Sequence, residues 1–269
     1  MFKDITIGQY IDGNSFIHKM DARVKILLSL FYIVVLFLIT SPIAYGMVFL
    51  FTAFLVMISK VPVKFVIRGL KPMVFILVFT GLINLFMTTD GTLLWTFPGV
   101  PFLKITDAGL EIAVTMVIRL VLLVVVTSLL TLTTSPLMLT DGIEKLLKPL
   151  EIIKVPAHEI AMMMTIAIRF IPTLSEETEK IIKAQTARGA DFESGNILKR
   201  AKAMIPLLVP LFISAFRRAD DLAVAMDSRC YHGGKNRTRM KQMKMTGRDA
   251  IAVLVLALFS LGLFAVSKL

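Results

Sequence analysis

From Ile26 to Ser59 the chain runs for 34 positions without a charged residue. As one helix this run would be about 51 Å long, far more than a hydrocarbon core of about 30 Å requires. Ser41-Pro42 and Tyr45-Gly46 interrupt it, so the pattern predicts two short spans joined by a tight hairpin. A third apolar span is expected from Pro72 to about Thr89. A fourth runs from about Ala108 to Thr134 and carries one internal charge, Arg119; a last one, uncharged, runs from Ala250 to Ser267. Five spans result, four early and one late.

Residues 135 to 248 follow a different pattern, with caps and apolar faces but no span. Ser135-Pro136 is a helix start, with serine as the cap and proline at the first helical position. Pro156 with His158-Glu159 is another start, and Gly189, Gly195 and Gly233-Gly234 are stops. Ile160 to Ile168 is apolar between Glu159 and Arg169, and Met204 to Phe216 is apolar with two prolines. Both are too short to cross a bilayer. They predict amphipathic helices at the membrane face or a greasy groove for a partner, unless they simply pack on each other.

Composition agrees with embedding in a membrane. Of 269 residues, 56% are apolar and only 18% charged, with a mean hydropathy of +0.79. A soluble protein of this size could not hide so much apolar surface. The net charge of +11 is explained by loops beside anionic lipid and needs no nucleic acid. Lys3, Lys19, Arg23 and Lys25 precede the first span, and Lys60, Lys64, Arg68 and Lys71 follow the second. The loop after the first span has no basic residue, and residues 88 to 107 have only Lys104. Cations therefore alternate sides, which predicts a cytoplasmic N-terminus. Residues 135 to 248, with 19 Lys and Arg against 12 Asp and Glu, fall on the same side. The expected division is a cytoplasmic segment 1–25, four spans in 26–134, a cytoplasmic coupling domain 135–248 and the last span in 249–269. The polar first 25 residues do not read as a secretory signal.

Candidate chemistry is sparse. One cysteine, Cys230, excludes an intrachain disulfide, and His18, His158 and His232 match no metal-ligand spacing. No phosphate loop, G-x-S-x-G or H-E-x-x-H occurs, so no catalytic residue, metal site or cofactor is expected. Any ATP-driven work must come from another subunit. A weak internal echo aligns Ala184 to Ala190 with Ala225 to Tyr231, placing Arg188 between Ala187 and Gly189, and Arg229 between Ser228 and Cys230. Acidic residues precede both arginines, Glu179 in one block and Asp220 and Asp221 in the other. Small flanking residues bare each guanidinium for a carboxylate on another protein. The helix dipole alone also favours arginine at a C-terminus, and spacing does not separate the two readings. Arg119 is a functional candidate because intramembrane charge is costly; it could equally snorkel, or pair with Asn84 or Glu111. The 16 methionines, Met162, Met163 and Met164 among them, suit either a surface that re-packs on partners or ordinary core filling. The basic run from Gly234 to Lys244 fits anionic headgroups.

Four stretches, in order, resemble the transmembrane T component of energy-coupling factor (ECF) transporters. They are IGQYIDGNSFIHKMDARVK, TTSPLMLTDGIEKLLKPLE, RFIPTLSEETEKIIKAQTARGADF and FRRADDLAVAMDSRCYHGG. The resemblance covers essentially the whole chain, and the arginine blocks are its most specific part. It implies an all-α protein of about five transmembrane helices in a bacterial or archaeal plasma membrane, with a helical coupling domain containing two long helices. It also implies that Ala187, Arg188 and Gly189, and Ser228, Arg229 and Cys230, dock two ABC-type ATPases. Serine and cysteine replace the commoner Ala and Gly of the family's Ala-Arg-Gly but are still small. A substrate-binding S component, capturing a vitamin or metal ion, is implied as a second partner. Met162, Met163, Met164, Leu207, Leu208 and Leu211 are the expected contacts for it. The alternative is the permease of an ordinary ABC importer, which would offer one docking segment where this chain offers two. A secondary transporter would want inverted repeats and several intramembrane ionisable sites, of which only Arg119 qualifies.

Overall fold

In the computed structural model, which describes residues 10–88, 90–96, 104–192, 196–234 and 243–267, helices follow one another almost throughout. Lys3, the helix stop at Gly195 and the basic residues from Lys235 to Lys241 lie outside the described residues. The helices are α1 (Ala22–Leu38), α2 (Pro42–Ser59), α3 (Val63–Leu70), α4 (Val74–Met87), α5 (Asp107–Thr133), α6 (Pro136–Leu147), α7 (Ala157–Ala187), α8 (Ile197–Asp227) and α9 (Gly247–Ser267). Four helical stretches are long and apolar enough to cross a membrane: α2, α3–α4 as one run, α5 and α9. The 17 residues of α1 sit at the lower end of a spanning length. The fold is thus the all-α membrane architecture that the pattern leads one to expect.

The chain divides into two units, described separately. The first comprises residues 8–142 and 243–269. Its core is built from Tyr32, Leu36 and Ile39 of α1 and its end, Tyr45 and Val48 of α2, Leu122 and Val126 of α5, and Leu256 and Leu263 of α9. The Tyr32 and Thr52 hydroxyls share a hydrogen bond of 2.5 Å, and Thr52 donates on to the Val48 carbonyl, so no buried hydroxyl there is stranded. Helix α4 buries no side chain and leans on α5 through small residues. A Cβ at Gly109 would lie 3.1 Å from the Leu85 carbonyl oxygen, and one at Gly81 3.1 Å from Val117. Such close approach is how helices associate in lipid, where no hydrophobic drive separates apolar faces from solvent.

Two features differ from the sequence reading. The charged loop expected between Lys60 and Lys71 is mostly α3, because Val66 and Leu70 fall four apart on a face that packs with Val61 and Val125. The loop of residues 88–107 contains a two-stranded antiparallel ladder, β1 (Leu93–Thr96) with β2 (Lys104–Thr106). Strands of four and three residues are too short for an alternating pattern to announce them. Thr106 then starts α5: its hydroxyl accepts from the Gly109 N–H at 3.1 Å and donates to the Thr88 carbonyl at 3.0 Å.

A polar knot ties the starts of α1 and α9 to the end of α5. Asp249 accepts from the Asp21 N–H at 2.9 Å and from the Thr246 N–H at 2.7 Å. Buried Lys25 donates to the Thr133 carbonyl at 2.9 Å and the Thr134 hydroxyl at 3.1 Å, capping α5 where its dipole is negative. His18 is structural too, with its ring nitrogens 2.6 Å from the Ser15 hydroxyl and 3.0 Å from the Ile11 carbonyl.

The second unit comprises residues 1–7 and 143–242 and is dominated by α7 and α8, each of 31 residues. Pro172 lies inside α7, and Pro206 and Pro210 inside α8. These two helices pack on each other, as a pair of long amphipathic helices must to hide one face each.

Candidate functional site

The two arginine blocks have the same backbone. At the end of α7 the Ala190 N–H bonds the Gln185 carbonyl at 3.0 Å and the Gly189 N–H bonds Thr186 at 2.9 Å. At the end of α8 the Tyr231 N–H bonds Met226 at 3.0 Å and the Cys230 N–H bonds Asp227 at 2.8 Å. Each is a Schellman closure, which needs a left-handed residue just after the cap. Gly189 supplies it with φ +87°, and Cys230 does so with φ +54°. Arg188 and Arg229 are therefore the cap residues of matched helix ends. Both arginines and their flanking residues are exposed, and neither guanidinium has a hydrogen bond or ion pair among the described residues.

Among the described residues, a charged contact joins the two packed helices that carry them. Arg218 Nη2 of α8 lies 2.9 Å from Glu177 Oε2 of α7, and the Ser214 hydroxyl donates to the other carboxylate oxygen. The Ser214 hydrogen bond, ahead of Arg218 itself, holds the Glu177 carboxyl below its ordinary pKa. Beside this contact lies a small groove of about 280 Å³ lined by Phe170, Leu174, Ala219 and Leu222. Glu177 precedes Arg188 by 11 residues, and Arg218 precedes Arg229 by 11. At ~1.5 Å per residue each cap arginine lies roughly 16 Å along its helix from the crossing.

Of the expected S-component contacts, Met163, Met164 and Leu208 are exposed at 61%, 39% and 47%; Met162 and Leu211 are half-buried, and Leu207 is buried. On α8, exposed Met204, Leu208, Phe212 and Phe216 form one row with four-residue spacing, so the apolar face continues beyond the six residues named from sequence.

Arg119 belongs to the first unit. It pairs with neither Asn84 nor Glu111. Its Nε donates to the Tyr45 hydroxyl at 2.8 Å and its Nη2 to the Ile39 carbonyl at 3.3 Å, while the Phe37 and Tyr45 rings lie 5.6 Å from the guanidinium carbon. Neutral acceptors at the α1–α2 hairpin thus satisfy it. Sequence reading missed Tyr45 as its partner because that tyrosine serves there only as part of a break. Among the described residues no group of histidine, cysteine and carboxylates could hold a metal ion.

Comparison with known proteins decides the family. Residues 13–240 match the model of the CbiQ family, described as cobalt transport protein. The energy-coupling factor transporter transmembrane protein EcfT of Ruminiclostridium cellulolyticum is 57% identical over 96% of both chains. That of Clostridium kluyveri is 56% identical over 94% of this chain and 93% of the relative, and that of Bacillus subtilis 44% identical over 98% of both. The chain belongs to the EcfT family. As an EcfT-family protein it is a transmembrane, non-catalytic component of an energy-coupling factor transporter, a complex with other subunits. These likenesses favour that assignment over the permease of an ordinary ABC importer.

Proposed function

We propose that this EcfT-family chain transmits ATP hydrolysis in two partner ABC-type ATPases to a membrane-embedded S component that captures a vitamin or metal ion. The observation that carries the reading is the pair of matched arginine caps, Arg188 and Arg229, exposed and without a partner among the described residues, each the same distance from the Glu177–Arg218 crossing. Two identical termini on one chain suit two similar partners. A guanidinium bared by Ala187 and Gly189, or by Ser228 and Cys230, suits a bidentate fork to a carboxylate in each ATPase. The methionine-rich start of α7 and the apolar rows of α8 suit a partner that is itself apolar, and methionine adapts to more than one such surface. In this reading residues 1–25 and 135–248 are cytoplasmic, 26–134 and 249–269 hold the spans, and the N-terminus faces the cytoplasm.

Affinity purification of the tagged chain in mild detergent, with its partners identified, tests the reading. Two ATPase chains and a small hydrophobic protein are expected. Recovery with an extracellular binding protein and no small hydrophobic subunit would contradict it. Within that complex, Met163→Asp or Leu208→Asp should release the small hydrophobic protein and leave the ATPases bound.

A further inference from the structure

Among the described residues, the most exposed large apolar side chain is not on a span. Ile152 is 88% exposed and Ile153 71%. Both end a short 3-10 helix, Lys148–Ile153, that is closed by Lys154 in the left-handed region at φ 63°. The Lys154 N–H bonds the Glu151 carbonyl at 3.0 Å and the Val155 N–H bonds Leu150 at 3.3 Å, so the isoleucines sit on a closed turn rather than a loose loop. Every residue from Lys148 to Lys154 is exposed. Lys145, Lys148 and Lys154 flank the tip in sequence; of the neighbouring carboxylates, Glu151 is exposed while Glu144 is engaged 3.0 Å from His158 Nδ1.

A tip of two isoleucines beside half-exposed Leu150 is too small for a stable protein interface, which needs about 1,000 Å² of buried surface. It has the size and charge of an interfacial lipid anchor, apolar at the point and basic at the flanks. Ile152 follows Thr133, the end of α5, by 19 residues, and the 12-residue α6 between them cannot cross a bilayer. The tip is therefore on the same side of the membrane as the end of that span. We propose that the Leu150–Ile153 turn inserts its isoleucines into the interfacial layer of an anionic bilayer, with Lys148 and Lys154 against headgroup phosphates. The anchor requires only the membrane assignment, not the two-ATPase reading above.

The chain has a single tryptophan, Trp95, which makes a clean optical test. Ile152→Trp and, separately, Ile153→Trp are made in a Trp95→Phe background, and the full chain is reconstituted in phosphatidylglycerol–phosphatidylethanolamine vesicles. Acyl-brominated lipid should quench the new fluorophore several-fold more than aqueous acrylamide does. Replacing phosphatidylglycerol by phosphatidylcholine, or adding Lys148→Gln and Lys154→Gln, should weaken that quenching, whereas Arg188→Ala should leave it unchanged. Quenching by acrylamide but not by bromolipid would overturn the proposal. So would shielding from both, which would mark the tip as covered by protein.

Discussion

Glu177 and Arg218 meet 2.9 Å apart where α7 and α8 pack, and each lies 11 residues before the exposed arginine that ends its own helix. The contact therefore sets where two otherwise separate helix ends stand with respect to each other. A partly exposed ion pair contributes little to stability, about 1 kcal/mol or less, so Glu177→Gln should change unfolding only slightly. It should lower ATP-driven uptake instead, with both ATPases still bound. Acid should do the same. The hydrogen bond from Ser214 and the Arg218 charge hold the Glu177 carboxyl below its ordinary pKa. Their contribution is complete above the ordinary carboxylate range and is lost as pH falls through the lowered value. Uptake by Glu177→Gln at neutral pH checks the first statement; the second predicts that the wild type keeps its uptake in mild acid and loses it only below the ordinary carboxylate range.

Loop charge predicts residues 88 to 107 outside and Cys230 inside. In intact cells expressing the chain without its ATPases, an impermeant thiol reagent should modify Thr92→Cys in a Cys230→Ser background. The native Cys230 should react only after permeabilisation. Reaction of Cys230 in sealed cells would invert or abolish the five-span topology.

The intramembrane guanidinium of Arg119 leans on one hydroxyl, that of Tyr45. Removing it with Tyr45→Phe leaves a half-buried charge short of an acceptor. The expected loss is about 1.5–3 kcal/mol, the scale of a hydrogen bond to a charged group. Thermal unfolding in detergent measures it. Arg119→Met in the Tyr45→Phe background should recover part of that loss, because the stranded charge is then gone.

Cys230 occupies a left-handed position that an L side chain enters at a cost of roughly 1–2 kcal/mol, partly offset because glycine is more flexible when unfolded. Cys230→Gly should therefore be neutral or stabilising by up to about 1 kcal/mol, and should keep the ATPases bound. Gly189→Val, forcing a β-branched side chain to φ +87°, should loosen the α7 cap and weaken the complex. Calorimetric melting with co-purification separates the two effects.

Much of this arrangement can be read from the chain because the signals are local. Ser135-Pro136 and Pro156 do open α6 and α7, Gly189 does close α7, and the uncharged runs became helices. The stop of α8 was less legible. Gly233-Gly234 and the arginine block at Ala225–Tyr231 suggested two different stops, and the left-handed turn falls on Cys230 in that block, a residue with no intrinsic preference for that conformation. The β1 and β2 strands are too short to show a period, and the Arg119–Tyr45 bond and the Glu177–Arg218 contact join residues far apart in sequence, which periodicity does not report. One faint signal existed for the last: Glu177 and Arg218 are 41 residues apart, the same interval that separates Arg188 from Arg229.

Co-purification and ATP-driven uptake by Arg188→Ala, Arg229→Ala and the double variant bear most directly on the two-arginine coupling. Truncating one partner of a desolvated charge pair costs about 2–5 kcal/mol, so each single variant should weaken assembly tens- to thousands-fold while the other arginine still tethers an ATPase. The double variant also loses avidity and should come apart, with uptake abolished. Lysine should rescue poorly at either position, because an ammonium cannot form the bidentate fork. Folding should survive, since a charge at an exposed helix end contributes under about 1 kcal/mol. If the double variant copurifies both ATPases at wild-type levels, Arg188 and Arg229 are helix-end charges and nothing more.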